Sequence, residues 1–293
     1  MTVLRLHGSG CPNLYSNPAG YEGYMGRWSM ALAPYFIRFA CPREPKFLLD
    51  LGCGTGSLLR AAAQSLPRAR LVGMDPVPDY LAYARAKVGR GRAAFVVGLV
   101  EQIPFAHGAF DACLSLLLLQ EIRDRAAALS EMHRVTGQGG SVAACQWDFG
   151  HGMLMLIAIR EALKLVAPEV YEGLAGPQAS AFASEAELRQ HWEAAGLMDV
   201  ETARLVTTLS YASFDDLWRP LLSGSTPATA AVAALPADAR DEVRRRLKER
   251  LLGADHDGAF SLQAEAFAVR GRIERQAGLR NRESRATRGK TPC

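Results

Sequence analysis

The feature that most constrains this chain is the stretch Lys46–Leu59, Lys-Phe-Leu-Leu-Asp-Leu-Gly-Cys-Gly-Thr-Gly-Ser-Leu-Leu. Phe47–Leu51 is apolar except for Asp50 and fits a strand covered on both faces. Gly52, Gly54 and Gly56 then supply a turn without side chains, so that backbone lies directly against a ligand. Ser57 onward reads as the helix that follows. Strand, glycine turn and helix open a nucleotide-binding α/β domain. A dinucleotide fingerprint spaces its glycines G-x-G-x-x-G. Here the third glycine falls two residues after the second, and Asp50 stands two before the first.

That pattern, Asp-x-Gly-x-Gly-x-Gly, resembles the S-adenosylmethionine (SAM) loop of class I methyltransferases. SAM has no pyrophosphate, so such a loop has only to let adenosine and the methionine part lie on backbone. Arg70-Leu-Val-Gly-Met-Asp-Pro reads as a second strand ending in Asp75. An acid about 20 residues beyond the glycine loop is placed to accept both ribose hydroxyls. A carboxylate that merely caps the next helix is the competing reading, and it suits Asp79 better.

The resemblance, to SAM-dependent methyltransferases of the small-molecule type, runs in register over about residues 21–148 and more weakly to 272. Tyr21 to Ser29, with Met25-Gly-Arg-Trp-Ser, is similar to the family's aromatic segment before the core. That implies Tyr24 and Arg27 near the methionine part of SAM. Gly98-Leu-Val-Glu-Gln-Ile-Pro-Phe is similar to Gly-Asp-Ala-Glu-x-Leu-Pro-Phe, whose Asp accepts from the adenine amine. Leu99 departs from it, at a cost on the order of 1 kcal/mol of SAM affinity. Gln120-Glu121 stands where many relatives carry His, facing the methyl donor. Phe110-Asp111 and Arg134-Val135 followed by Gly139-Gly140 match positions of structural use. The implied cofactor set is Tyr24, Arg27, Asp50, Gly52, Cys53, Gly54, Gly56, Asp75, Pro76, Leu99, Val100, Glu101, Ser115 and Gln120. The catalytic candidates are Gln120, Glu121 and His151.

The resemblance implies an α/β fold, a Rossmann-like sheet of seven strands with the last antiparallel; parallel strands joined by crossovers account for the alternating patterns, and helical insertions are expected to form a substrate cap. Four parts follow: an N-terminal arm or lid over 1–45, a SAM-binding core over 46–148, a helical cap with the last two strands over 149–272, and a basic tail over 273–293. Tyr21, Tyr24 and Trp28 are read either as packing of the arm or as a lid over the site. Ser184 before Glu187 marks a capped helix, and Phe260 onward alternates as a final strand does.

Composition narrows the class. Of 293 residues, 49% are hydrophobic and 22% charged, as in an ordinary soluble globule. No apolar run is long enough to cross a bilayer, and no signal pattern opens the chain, so the expected compartment is the cytoplasm. The six cysteines show no Cys-x-x-Cys spacing, so neither a metal site nor a disulfide framework is expected. The net charge of +4 misleads, because Arg270 onward holds seven Arg and one Lys against two Glu, which leaves the rest at −2.

Methyl transfer is an in-line displacement that alignment largely drives, and a base is needed only for a protonated nucleophile. Trp147, Asp148 and Tyr24 stand with Gln120, Glu121 and His151 as neighbours of the expected donor. His151 also fits a solvated loop, and Glu121 a partner of Arg123 or Arg125. The favoured reading is methyl transfer to the oxygen, nitrogen or carbon of a small organic molecule by a monomer or homodimer. The alternative keeps SAM binding but catalyses cyclisation, rearrangement or hydroxylation. RNA methylation with the tail as an electrostatic arm ranks below both, since the rest of the chain is slightly acidic and no Asn/Asp-Pro-Pro-aromatic sequence follows strand four.

Overall fold

The computed structural model describes residues 17–174, 184–253 and 258–275. The loose arm expected over the first residues and the basic tail lie mostly outside them. An unbroken helical run opens the described chain: α1 (Pro18–Tyr21), a π-helical turn (Glu22–Gly26) and α2 (Arg27–Ala40). Then come β1 (Phe47–Leu51), α3 (Ser57–Ser65), β2 (Arg70–Asp75), α4 (Pro78–Val88), β3 (Ala93–Val97), β4 (Phe110–Leu116) and a 3-10 turn (Leu119–Glu121). They are followed by α5 (Arg125–Val135), β5 (Thr136–Trp147), α6 (Leu154–Val166), α7 (Pro168–Gly173), α8 (Glu185–Ala194) and β6 (Met198–Tyr211). The last are α9 (Phe214–Leu221), α10 (Pro227–Ala234), α11 (Ala237–Leu252) and β7 (Phe260–Arg272).

The strands form one sheet in the order β3-β2-β1-β4-β5-β7-β6. β1 to β5 are parallel, and β7 lies antiparallel between β5 and β6. The chain leaves β1 to build outward through β2 and β3, then returns to β4 on the other side. This reversal leaves a crevice beyond the carboxyl ends of β1 and β4, where open α/β sheets bind ligands. The β6–β7 hairpin overhangs it, since Val206–Tyr211 pairs with Phe260–Glu265 beyond the end of β5 at Trp147. One apolar layer, holding Trp28, Phe36 and Trp147, packs one side of the sheet. The other, holding Met132, Trp192 and Phe267, packs the opposite side.

Three local readings of the sequence are corrected: a turn after Val135 into strand five, a helix over Met153–Ala167, and helix interruption at Pro220, Pro227 and Pro236. The Thr136–Gly140 stretch is already strand: Thr136 pairs with Phe110, and a bulge carries Gly139 at φ 73 before Ser141 pairs with Ala112. Met153 does not begin a helix but bridges to Ala264, so α6 starts at Leu154. Pro220 sits inside α9 near its end rather than breaking it, whereas Pro227 and Pro236 do mark helix starts. The Ser184 side chain accepts from the Glu187 N–H and caps α8 as its spacing implies. No helix among the described residues is long and apolar enough to cross a membrane.

Candidate active site

The glycine turn after β1 is built on left-handed backbone: Gly52, Gly54 and Gly56 have φ of 64, 51 and 88°. A Cβ on Gly52 would stand 2.7 Å from the Leu118 side chain, and one on Gly56 would stand 3.0 Å from Ala84 of α4. The turn is therefore shaped by close approach from both sides as well as by φ. Asp75 ends β2 against it. Its Oδ2 accepts from the Gly54 N–H at 3.0 Å and its Oδ1 from the Val77 N–H at 2.9 Å. Burial raises the Asp75 pKa, and these two amide bonds oppose that.

Asp50, the acid of the motif, is 1% exposed, and its Oδ2 has no hydrogen-bond partner. Burial first, and the negative Asp75 second, push its carboxyl well above the usual range. The Cys53 thiol is pushed up chiefly by burial, then by the same two acids. Ser57 Oγ and Ser115 Oγ are also buried without partners. Two buried carboxyls and unpartnered hydroxyls suit a ligand that brings both hydroxyl groups and positive charge, and SAM brings both.

The residues above the turn close it. Tyr21 lies against Tyr80, with ring centroids 5.7 Å apart and planes tilted by 44°. Its hydroxyl is pushed up to about 12 by burial, an effect opposed by Ser29 and reinforced by Glu121 and Asp75. Tyr21, Ser29, Asp50, Gly52, Cys53 and Leu116 help line the remaining cavity of about 30 Å³. That is the space of a water or two, against the hundreds of Å³ that a ligand of SAM's size needs. The backbone is strained beside it, because Leu117 holds φ 63 just past the end of β4 and its N–H donates to the Cys145 carbonyl.

Sequence-predicted residues divide between places. Gln120 is buried, and its Oε1 accepts from the Trp147 N–H at 3.1 Å, tying the 3-10 turn after β4 to the end of β5. Glu121 lies beside it, accepting from Gln120 Nε2 at 3.4 Å. Leu99 bridges to Gln102, Val100 is buried, and Glu101 and Pro76 are exposed. This loop is clamped by α5: Glu131 accepts from the Ile103 N–H, and Arg134 donates to the Ile103 and Phe105 carbonyls.

Three placements differ from expectation. Arg27 is taken up elsewhere: it pairs with Asp216 at 2.9 Å, donates to the Ser210 carbonyl and lies 4.6 Å over the Tyr211 ring. Tyr21, not Tyr24, covers the glycine turn. Tyr24 instead lies close enough to Tyr211 to feel its charge, and burial dominates the upward shift of its hydroxyl. His151 is exposed in a turn whose Gly150 and His151 N–H groups donate to Asp148 Oδ1. The π turn explains the first two. One extra residue per turn over Glu22–Gly26 shifts the phase of the helix face between Tyr21 and Arg27.

Comparison with known proteins agrees with the geometry. The methyltransferase domain family matches residues 49–144. The chain is 34% identical over 181 residues to a demethylmenaquinone methyltransferase of Roseiflexus castenholzii, covering 58% of this chain and 75% of that one. Phosphoethanolamine N-methyltransferase 2 of Haemonchus contortus, solved with S-adenosylhomocysteine, superposes at a TM-score of 0.56. Its identity is 19%, over 89% of this chain and 58% of that one. The [4+2]-cyclase SpnF shares the fold at a TM-score of 0.51 and 15% identity, over 84% and 81%. The chain belongs to the class I SAM-dependent methyltransferases. SAM is its methyl donor.

Proposed function

We propose that SAM lies across the glycine turn with its ribose hydroxyls on Asp75, and that the acceptor is a small apolar molecule held beside Gln120 and Trp147. The observation that carries this reading is the Asp75 carboxylate, pinned by the Gly54 and Val77 amides against three left-handed glycines. Leu99 and Val100 pack on the purine, with Pro76 and Glu101 at its rim, and Asp50, Cys53 and Ser115 line the methionine end. SAM supplies a methyl group already activated on a sulfonium, so the chain's task is alignment and the exclusion of water.

Gln120 and Glu121 act as positioning groups at the end of β4, where Gln120 fixes the Trp147 backbone. No role is assigned to the exposed His151 ring. Residues 46–148 form the cofactor core, and 149–272 form the acceptor cap with the last strands. Residues 1–45 are the arm that serves as a lid, a reading supported by Tyr21 and Ser29 of its described part, which line the cavity over the glycine turn. That the relative from Roseiflexus castenholzii is named for methylating demethylmenaquinone supports a small-molecule acceptor. A cytoplasmic monomer or homodimer suits the free Cys41, Cys53, Cys113 and Cys145.

Calorimetry with S-adenosylhomocysteine tests the reading. The parent binds, and Asp75→Ala weakens binding about 100-fold, as the loss of two charge-assisted hydrogen bonds at roughly 1.5 kcal/mol each implies. Equal affinity of parent and variant would remove Asp75 from the cofactor site. Failure of the parent to bind would remove the reading itself.

A further inference from the structure

Beyond the glycine turn, the arm and the end of β5 enclose four aromatic side chains: Tyr24, Trp28, Trp147 and Tyr211 are 4, 0, 1 and 4% exposed. Trp28 and Trp147 meet edge to face with centroids 6.3 Å apart. Tyr24 Oη and Trp147 Nε1 are buried with no hydrogen-bond partner. The Trp28 N–H lies near enough to Tyr211 to favour its charged form, yet makes no hydrogen bond of acceptable geometry. A buried polar group left unpaired costs roughly 1–3 kcal/mol, so a group of them calls for a ligand or a partner.

The cluster adjoins the cofactor turn. Tyr21 and Ser29, on the same helical run as Tyr24 and Trp28, line the cavity over the glycines. Tyr21 to Trp28 is seven residues, or about 10 Å along a helix axis. The backbone N–H of Trp147, as distinct from its open indole N–H, is held by Gln120.

The donors decide the chemistry. An indole N–H only donates, so it needs an acceptor atom and repels an ammonium. Among the described residues the cation stacked on Tyr211 is Arg27, and Asp216 neutralises it, so it does not balance a buried anion. What remains is a neutral, flat, apolar molecule with an oxygen that accepts hydrogen bonds. We propose that Tyr24, Trp28, Trp147 and Tyr211 form the acceptor subsite, which receives such a molecule with its carbonyl or hydroxyl oxygen on the Trp147 indole N–H and the Tyr24 hydroxyl. This rests on the methyl-transfer reading above and names the substrate class for the same site. The acceptor enters as the arm lifts, and it replaces the contacts between Trp28 and Trp147.

Equilibrium dialysis of the full chain, with and without S-adenosylhomocysteine, tests it with four probes on one carbon frame. They are 2-acetylnaphthalene, 2-naphthoate, 2-naphthylmethylamine and naphthalene. The ketone is expected to bind at least 10-fold tighter than the other three. Tyr24→Phe and Trp147→Phe each reduce that preference to threefold or less, while S-adenosylhomocysteine affinity stays within twofold and so reports an intact fold. Absence of ketone binding, a ketone no better than naphthalene, tightest binding of the anion or amine, or a preference that survives both variants would overturn the proposal. If S-adenosylhomocysteine fails to bind, the cofactor reading falls, and the ketone preference measured without it still judges the subsite.

Discussion

The cofactor half and the acceptor half of the crevice are built on opposite principles. Around Asp75 the carboxylate is held by the Gly54 and Val77 amides and backbone shape does most of the selecting, with Asp50 Oδ2, Ser57 Oγ and Ser115 Oγ left for the ligand. Around Trp147 the side chains form the shape, and their donors are left open. A site for an invariant ligand gains from the first arrangement, since a fixed backbone turn is preorganised and tolerates little variation. A site for a variable acceptor gains from the second, because side chains can be exchanged without rebuilding the sheet.

The largest effect that separates the halves is expected at Trp28. Trp28→Ala empties a fully buried indole between the arm and β5 and is expected to cost about 3–5 kcal/mol of stability. If the arm is a separable lid, part of that loss is local. Hydrogen exchange would then rise over 18–40 before it rises in β1 and β4. Uniform acceleration would show that arm and sheet unfold as one unit.

The glycine turn should answer to shape rather than chemistry. Gly56→Ala faces both a φ of 88° and a Cβ 3.0 Å from Ala84, on the packed surface of α4. Left-handed strain of roughly 1–2 kcal/mol and overpacking of roughly 1–3 kcal/mol together predict a loss of about 2–5 kcal/mol. Gly54→Ala bears the strain alone, because its nearest neighbour is Tyr80 at 3.8 Å, and should lose about 1–2 kcal/mol. Urea denaturation of the two variants measures the gap. Equal losses would mean that α4 yields and that the turn is not held from that side.

The same contrast explains what was legible in the sequence. Asp50, the glycines and Asp75 are local in the chain, and their spacing follows from a strand, a tight turn and a helix. The antiparallel β7 was legible from alternation at Phe260, and the start of α8 from Ser184. The arm was not. Which face of the Tyr21–Trp28 helix meets the glycines depends on how it docks and on the π turn, whose phase shift a period of 3.6 does not contain. Arg27 looked available for a ligand because Asp216, its partner, lies 189 residues away. The left-handed Leu117 gave no signal either, since nothing in a run of leucines marks one of them for strain.

The smallest effect concerns the latch between the halves. Burial works against ionisation of Asp216, but hydrogen bonds from Arg27 and the Ala212 N–H outweigh it and hold the carboxyl below the usual range. A folded-state pKa below the unfolded value of about 3.9 contributes stability that is present above that pH and lost as pH falls through the folded value. With side chains 28% and 36% exposed, solvent screens the pair, so Asp216→Asn should cost no more than about 1 kcal/mol at pH 7. The difference from the parent should shrink below pH 4 and fall with added salt. A thermal-melt series across pH reads both. A gap that persists unchanged at pH 3 would place the effect of Asp216 in its neutral hydrogen bonds to the Ala212 backbone, and the arm would then be held to α9 by shape instead of charge.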